Sequence, residues 1–182
     1  SLKPNQKPLA LYIHSPFWEK QCYFCGCNVI IKKKKDEFGD TYLNYIEKEC
    51  QLIAQSLGKN HPVNQIHIGG GTPSYLSNKQ LTKLNTILNT YFDCQSMHEY
   101  SIEIDPRLFE SDRLTHLKNI GINRLSFGIQ DFDKTVQDAI NRHYKSAEFN
   151  KLLSTARQLS FSSINVDLIY GLPNQNKTNF KN

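Results

Sequence analysis

The chain has 182 residues, 38% of them hydrophobic and 21% charged, with only 9 Gly and 7 Pro, which is the balance of one globular domain with its own core and excludes disordered or fibrous chains. A formal net charge of +5 suits a small anionic ligand and is too modest to name a nucleic acid as partner. No stretch approaches the ~20 apolar residues of a membrane span, and the opening SLKPNQKPLALYIHS lacks the basic, apolar, small-residue order of a signal peptide, so a cytoplasmic protein with no membrane partner is expected.

The first short apolar run, 9–14, reads as a buried strand and ends in His14. The string HSPFWEKQCYFCGCN follows, with Cys22, Cys25 and Cys27 in a loop. The basic run 32–35 leads through Asp36 and Glu37, as a solvated loop does before a helix. Tyr42, Ile46, Cys50, Ile53 and Leu57 then step by four, four, three and four, one face of a helix that ends near Gly58. A second strand at 65–68 runs into Gly69, Gly70 and Gly71, and Ser77 with Gln80 makes a capping box before Leu81, Leu84 and Leu88.

The strand at 100–104 carries Glu103 and stops at Asp105, and helical spacing returns at Leu114, Leu117 and Ile120 before Gly121. A strand at 124–127 leads to Gln130, a helix capped by Ser146 carries Phe149, Leu152, Leu153, Ala156 and Leu159, and a last strand at 164–169 carries Asp167. Residues 174–182 read as a cap at Thr178 opening a helix that the chain cuts off. Alternating strands and helices predict an α/β fold with a parallel sheet and right-handed crossovers. Periodicity leaves open whether the sheet is doubly wound or curved as a partial (β/α) barrel. Five strands also leave an edge to be covered, as in a fragment of a longer protein.

Each predicted strand ends in something a core does not ask for: His14, the three glycines, Glu103 with Asp105, Gln130 and Asp167. In parallel α/β folds that rim is where ligands bind. Taken singly, each residue also has a plain structural reading. His14 and Gln130 could serve structure alone, the glycines a tight turn before Thr72 and Pro73, and Glu103 and Asp167 a helix cap or a pairing with Arg107 or Arg142.

Five cysteines is an odd number, and three of them crowd into six residues, which in a reducing compartment points to metal or redox chemistry rather than disulfides. Thiolates at C-x-x-C spacing can share a metal or an iron-sulfur centre. A structural zinc would need four ligands, and Cys22, Cys25, Cys27 and His14 supply them on paper.

The same string resembles the signature of radical S-adenosylmethionine (SAM) enzymes, and more closely that of the oxygen-independent coproporphyrinogen III oxidase family. LYIHSPF, CYFCGCN, IHIGGGTP, SIEIDP, RLSFGIQDF, NRH and NVDLIYGLP match in order over the whole chain. The resemblance implies a partial radical SAM barrel, 1–182, lacking the family's C-terminal domain. It implies a 4Fe-4S cluster bound at Cys22 and Cys25, with Trp18 standing where the family has its first cluster cysteine. Tyr12, Gly70, Glu103, Gln130 and Arg142 correspond to contacts of the cluster-bound SAM. Phe24, Cys27, Gly71 and Thr72 correspond to contacts of a second SAM, Asp167 also lies in the SAM pocket, and His14 is a catalytic residue close to the cluster.

The implied reaction is oxidative decarboxylation of two propionates of coproporphyrinogen III to vinyl groups, giving protoporphyrinogen IX. An electron from the cluster cleaves SAM, and the resulting 5′-deoxyadenosyl radical abstracts a propionate hydrogen. The implied partners are a tetrapyrrole substrate and an electron donor, with no nucleic acid and a monomeric state. The alternative is a non-catalytic SAM- or tetrapyrrole-binding relative of the heme-chaperone kind that has lost its cluster.

Overall fold

The computed structural model describes residues 7–33, 36–58 and 60–180. In chain order the elements are β1 (Leu9–Ser15), β2 (Phe17–Trp18), β3 (Ile30–Ile31), α1 (Asp36–Leu57), β4 (His61–Gly70), α2 (Asn78–Tyr91), β5 (Phe92–Asp93), β6 (Glu99–Ile104), α3 (Arg113–Asn119), β7 (Arg124–Gln130), α4 (Lys134–Ala139), α5 (Ser146–Gln158) and β8 (Ser163–Leu168). The long strands form a parallel sheet in the order β1-β4-β6-β7-β8, with β5 paired to β4. Each long strand therefore lies beside the next long strand in sequence. A doubly wound sheet reverses its order at a switch point; the order here never reverses, and the sheet winds as a barrel does.

Strand alternation divides the sheet into two faces. Ile66 and Ile68, Tyr100, Ile102 and Ile104, and Leu125, Phe127 and Ile129 are all buried. They share one apolar cluster with Leu43 of α1, Leu81, Leu84 and Leu88 of α2, Leu114 and Leu117 of α3, and Phe149 and Leu152 of α5. Each such side chain contributes about 1.5–3 kcal/mol by leaving water, so this face holds the fold together. The intervening residues Gln65, His67, Glu99, Ser101, Glu103 and Arg124 bond to one another on the other face, and Ser126 beside them bonds Asp167 of β8.

The helix signals act as their chemistry requires. Gly58 takes φ +94° after α1 and donates its N–H to Ala54 O at 3.0 Å. Ser77 and Gln80 form a reciprocal capping box at α2, and Gln80 Nε2 also donates to Asp36 O and Asp40 Oδ1, tying α2 to the start of α1.

Two caps differ from the sequence reading. The N-cap of α5 is Lys145, one residue before Ser146, because the Lys145 carbonyl accepts the first helical bonds, from Glu148 and Phe149. Near the C-terminus Asn176, not Thr178, caps a turn, its Oδ1 accepting the N–H groups of Thr178 and Asn179. An Asn side-chain oxygen reaches the next turn's donors at least as well as a Thr hydroxyl. Residues 181 and 182 of that expected helix, and Lys34 and Lys35 of the basic run, lie outside the described residues.

Candidate functional site

The C-terminal ends of β4, β6, β7 and β8, together with the cysteine loop, enclose a cavity of about 190 Å³. Gly70, Gly71, Thr72, Glu103, Gln130, Arg142 and Asp167 line its strand-end wall, and Trp18, Phe24, Cys25 and Cys27 its loop wall. Seven predicted site residues thus meet on one side, and Phe24, Cys25 and Cys27 face them.

The strand-end wall is built from polar groups already held in place. Glu103 Oε2 accepts the Gly70 N–H at 3.1 Å, and Glu103 Oε1 lies 3.1 Å from His67 Nε2. Gly70 takes φ +107°, a conformation that suits glycine and turns its N–H toward the carboxylate. Gln130 also sits at positive φ, +73°, where the β7–β8 register shifts between Gly128 and Gln130. A bulge of this kind re-aims the side chain at the strand end. Asp167 accepts from Ser126 Oγ at 2.9 Å and from Asn165 Nδ2 at 2.7 Å, on the outer strand β8. Thr72 is buried, its carbonyl accepting the Ser15 hydroxyl.

Tyr12 and His14 flank this wall from β1. The Tyr12 hydroxyl bonds His14 Nδ1 at 3.2 Å, and His14 Nε2 bonds the Asn28 carbonyl at 3.2 Å, which ties β1 to the end of the cysteine loop. Burial, with Glu103 and Cys27 nearby, pushes the Tyr12 phenol above its ordinary value.

The loop wall is anchored through Asp105, which the sequence marked only as a strand end. Asp105 is buried and pairs with Arg107 at 2.6 Å and with Arg142 at 3.3 Å. Both guanidiniums reach the Cys22 sulfur, at 3.4 Å and 3.3 Å. Burial alone would raise the Asp105 carboxyl, but its bonds and charge interactions with Arg107 and Arg142 win and hold it below the usual range. Arg107 and Arg142 therefore pair with Asp105, not with Glu103 or Asp167 as the sequence allowed. The Arg142 guanidinium also donates to Gly128 O, so most of its donors are engaged within the protein. Asn141 Nδ2 donates to Gln21 O, and Tyr23 N–H to Ile140 O, fastening the loop to the end of α4. Phe24 packs on Val136, Ile140 and Leu172.

The cysteines do not converge. Cys22 has no exposed surface and lies against the two arginines. Cys25 sits beside Cys27, whose N–H donates to the Cys25 sulfur at 3.4 Å, and this neighbour, with burial, holds the Cys27 thiol above its ordinary value. Trp18 is 5% exposed, and its indole fills the space over Gly71, where a Cβ would come within 2.6 Å of Cδ1. Its Nε1 is buried with no hydrogen-bond partner among the described residues.

Among the described residues no group of three or more His, Cys, Asp or Glu side chains is placed to hold a metal ion. The four-ligand zinc set of Cys22, Cys25, Cys27 and His14 is not assembled, since the His14 nitrogens hold Tyr12 and Asn28. The third ligand position that the resemblance assigns to a 4Fe-4S cluster falls at Trp18, whose indole cannot ligate iron, so the residues present do not supply that three-thiolate set.

His67 and Asp105 are the residues the sequence reading passed over. His67 lay inside a run read as apolar, where the two-residue alternation of Gln65 and His67 against Ile66 and Ile68 was the available signal. Asp105 was noted only as a strand end.

The sequence model of the radical SAM superfamily matches residues 12–182. The oxygen-independent coproporphyrinogen III oxidase of Salmonella typhimurium is 46% identical over 96% of this chain and 38% of its own length. That of Synechocystis is 45% identical over 97% of this chain and 38% of its own. The solved structure of coproporphyrinogen III oxidase (HemN) from Escherichia coli, a radical SAM enzyme, superposes with a TM-score of 0.90 at 44% identity, covering 97% of this chain and 40% of that one. A SAM-bound structure, anSMEcpe, shares the fold at a TM-score of 0.54 and 12% identity. The chain thus spans about two fifths of the length of these relatives. Among the described residues no helix is long and apolar enough to cross a membrane. The singly wound parallel sheet, the strand-end cavity and the family match over residues 12–182 together establish that this chain belongs to the radical SAM superfamily.

Proposed function

We propose that the strand-end cavity binds SAM, and that the chain is the SAM-binding portion of a protein of the oxygen-independent coproporphyrinogen III oxidase kind. The observation that carries this is Glu103, a carboxylate aimed into the cavity and held between the Gly70 N–H and His67. SAM carries a sulfonium, an ammonium and two ribose hydroxyls, all of which a fixed carboxylate favours by charge or by accepting hydrogen bonds. Gly70 sets the strand end at positive φ and holds its N–H against the Glu103 carboxylate. Gln130 and Asp167 supply further polar contacts in the lining, Tyr12 flanks it beside Glu103, and Phe24, Cys27, Gly71 and Thr72 are the contacts that the resemblance expects of a second SAM.

In the whole protein the reaction is oxidative decarboxylation of coproporphyrinogen III, a tetrapyrrole, with an external electron donor. When bound, a 4Fe-4S cluster supplies the electron that cleaves SAM. Cys22 and Cys25 are two of its three expected ligands, and Trp18 removes the third, so no step through the cluster is assigned to this chain. A second reading follows from the same indole: a relative that binds SAM or a tetrapyrrole without cleaving SAM.

Calorimetric titration with SAM tests the first reading. Glu103→Ala is expected to weaken binding by about 10–100-fold, the ~1.5–3 kcal/mol of hydrogen bonds to a charged group, with the melting temperature little changed. Unchanged affinity overturns the assignment. Anaerobic reconstitution with iron and sulfide, followed by assay of 5′-deoxyadenosine, separates the two readings.

A further inference from the structure

We propose that His67 is a positioning residue for Glu103, a role that rests on the reading of the cavity as a SAM site. The two strands that flank β4 converge on this imidazole. From β1, Tyr12 stacks on it with ring centroids 5.7 Å apart and planes 14° from parallel. From β6, Ser101 Oγ lies 2.7 Å from His67 Nδ1, while Glu103 Oε1 lies 3.1 Å from Nε2.

An ionised carboxylate only accepts, so Nε2 is the donor in this pair, and the Ser101 hydroxyl, able to donate or accept, holds the other nitrogen in place. Ser101 is buried, with Ile66 O within 3.2 Å of its hydroxyl, and so gives the ring a rigid base. The second Glu103 oxygen is fixed by Gly70. Among the described residues each oxygen thus has one hydrogen-bond partner, which leaves lone pairs for the cavity.

Gly69 shows how closely the three groups meet. A Cβ at that position would lie 2.9 Å from each of Glu103 Oε1, His67 Nε2 and Tyr12 Cε2. Glycine is needed there because side chains from three strands fill the space a methyl would take. A carboxylate fixed in this way has little rotamer freedom left to lose when a cationic ligand binds, which is how preorganisation raises affinity.

The test is SAM titration of the parent chain, His67→Phe, His67→Gln, Glu103→Ala and the double variant His67→Phe/Glu103→Ala, each checked for folding by its melting curve. His67→Phe keeps a ring against Tyr12 and removes both nitrogens; binding is expected to weaken about tenfold, the loss of one hydrogen bond to a charged group. His67→Gln, whose amide N–H reaches the same carboxylate, is expected to recover most of that loss. The double variant is expected to bind no more weakly than Glu103→Ala alone, since His67 acts through Glu103. If Glu103→Ala weakens binding while His67→Phe does not, or if the two effects simply add, the positioning role is overturned and the SAM reading stands. If the parent does not bind SAM, or Glu103→Ala leaves its affinity unchanged, both fall.

Discussion

The two walls of the cavity are held in different ways. The strand-end wall rests on parallel strands with an apolar face beneath, and its polar groups are oriented by hydrogen bonds between neighbouring strands. The loop wall has no such sheet under it. A short ladder joins β2 to β3, one backbone bond joins Tyr23 to Ile140, and side chains make the other tethers: Asp105 through two arginines to Cys22, Asn141 to Gln21, and His14 to Asn28. A ligand wall set by a scaffold tolerates change in its loops; one set by a few polar tethers is only as fixed as those tethers. Trp18, which the resemblance sets at a cluster-cysteine position, falls on the second wall.

The largest expected effect comes from Asp105, where the walls join. Asp105→Asn removes the charge that two buried guanidiniums share, and leaving such partners uncompensated costs about 3–5 kcal/mol. Chemical denaturation of parent and variant measures it, and a loss below about 1 kcal/mol would mean that solvent already screens the pair. The pH dependence has a definite sign. Because the folded Asp105 carboxyl lies below its ordinary value of 3.8, its contribution is present above that pH and is lost as pH falls through the lower folded value. The parent should therefore lose stability in acid below about pH 4, and Asp105→Asn should flatten that limb.

Trp18→Cys comes next and pulls in two directions. Removing a buried indole costs somewhat less than the ~3–5 kcal/mol of a Trp-to-Ala change, and the loss is reduced because the indole N–H is already without a partner. In exchange the loop regains a third thiol beside Cys22 and Cys25. The expectation is a less stable chain that retains iron and sulfide after anaerobic reconstitution, against a parent that does not. Equal iron and sulfide in both would show that Trp18 does not stand at a ligand position.

These contrasts also mark what the sequence could disclose. The strand-end wall was legible because all of its residues but Arg142 lie at or just past the end of an apolar run of strand length, so position along the chain reports position at the rim. Gly70, Glu103, Gln130 and Asp167 were located that way. The order of winding was not legible, since periodicity places residues on faces and says nothing about which strands are neighbours. The tethers of the loop wall were hidden for a similar reason. Cys22, the Asp105–Arg107 pair and Asn141 with Arg142 come from three separate parts of the chain, and their meeting is decided by tertiary burial. β2, β3 and α4, of two, two and six residues, are too short to carry a period.

The smallest expected effect isolates one tether. Asn141 has φ +55°, a left-handed conformation that glycine adopts without strain, and its side chain donates to Gln21 O at 2.8 Å. Asn141→Gly thus removes that one bond while leaving the backbone shape available. Global stability should fall by about 0.5–1.5 kcal/mol, the net worth of one hydrogen bond. Local opening should change more, because Cys22 is reached only when the loop lifts from Arg107 and Arg142, and loops held by few contacts open without global unfolding. The measurement is native-state alkylation of Cys22, followed by peptide mass analysis, with Cys50, buried on α1, as the internal reference. Faster modification of Cys22 with Cys50 unchanged would show that the loop wall opens independently of the sheet. Parallel acceleration at both cysteines would mean that the two walls unfold as one unit, and the contrast between them would then be one of chemistry alone.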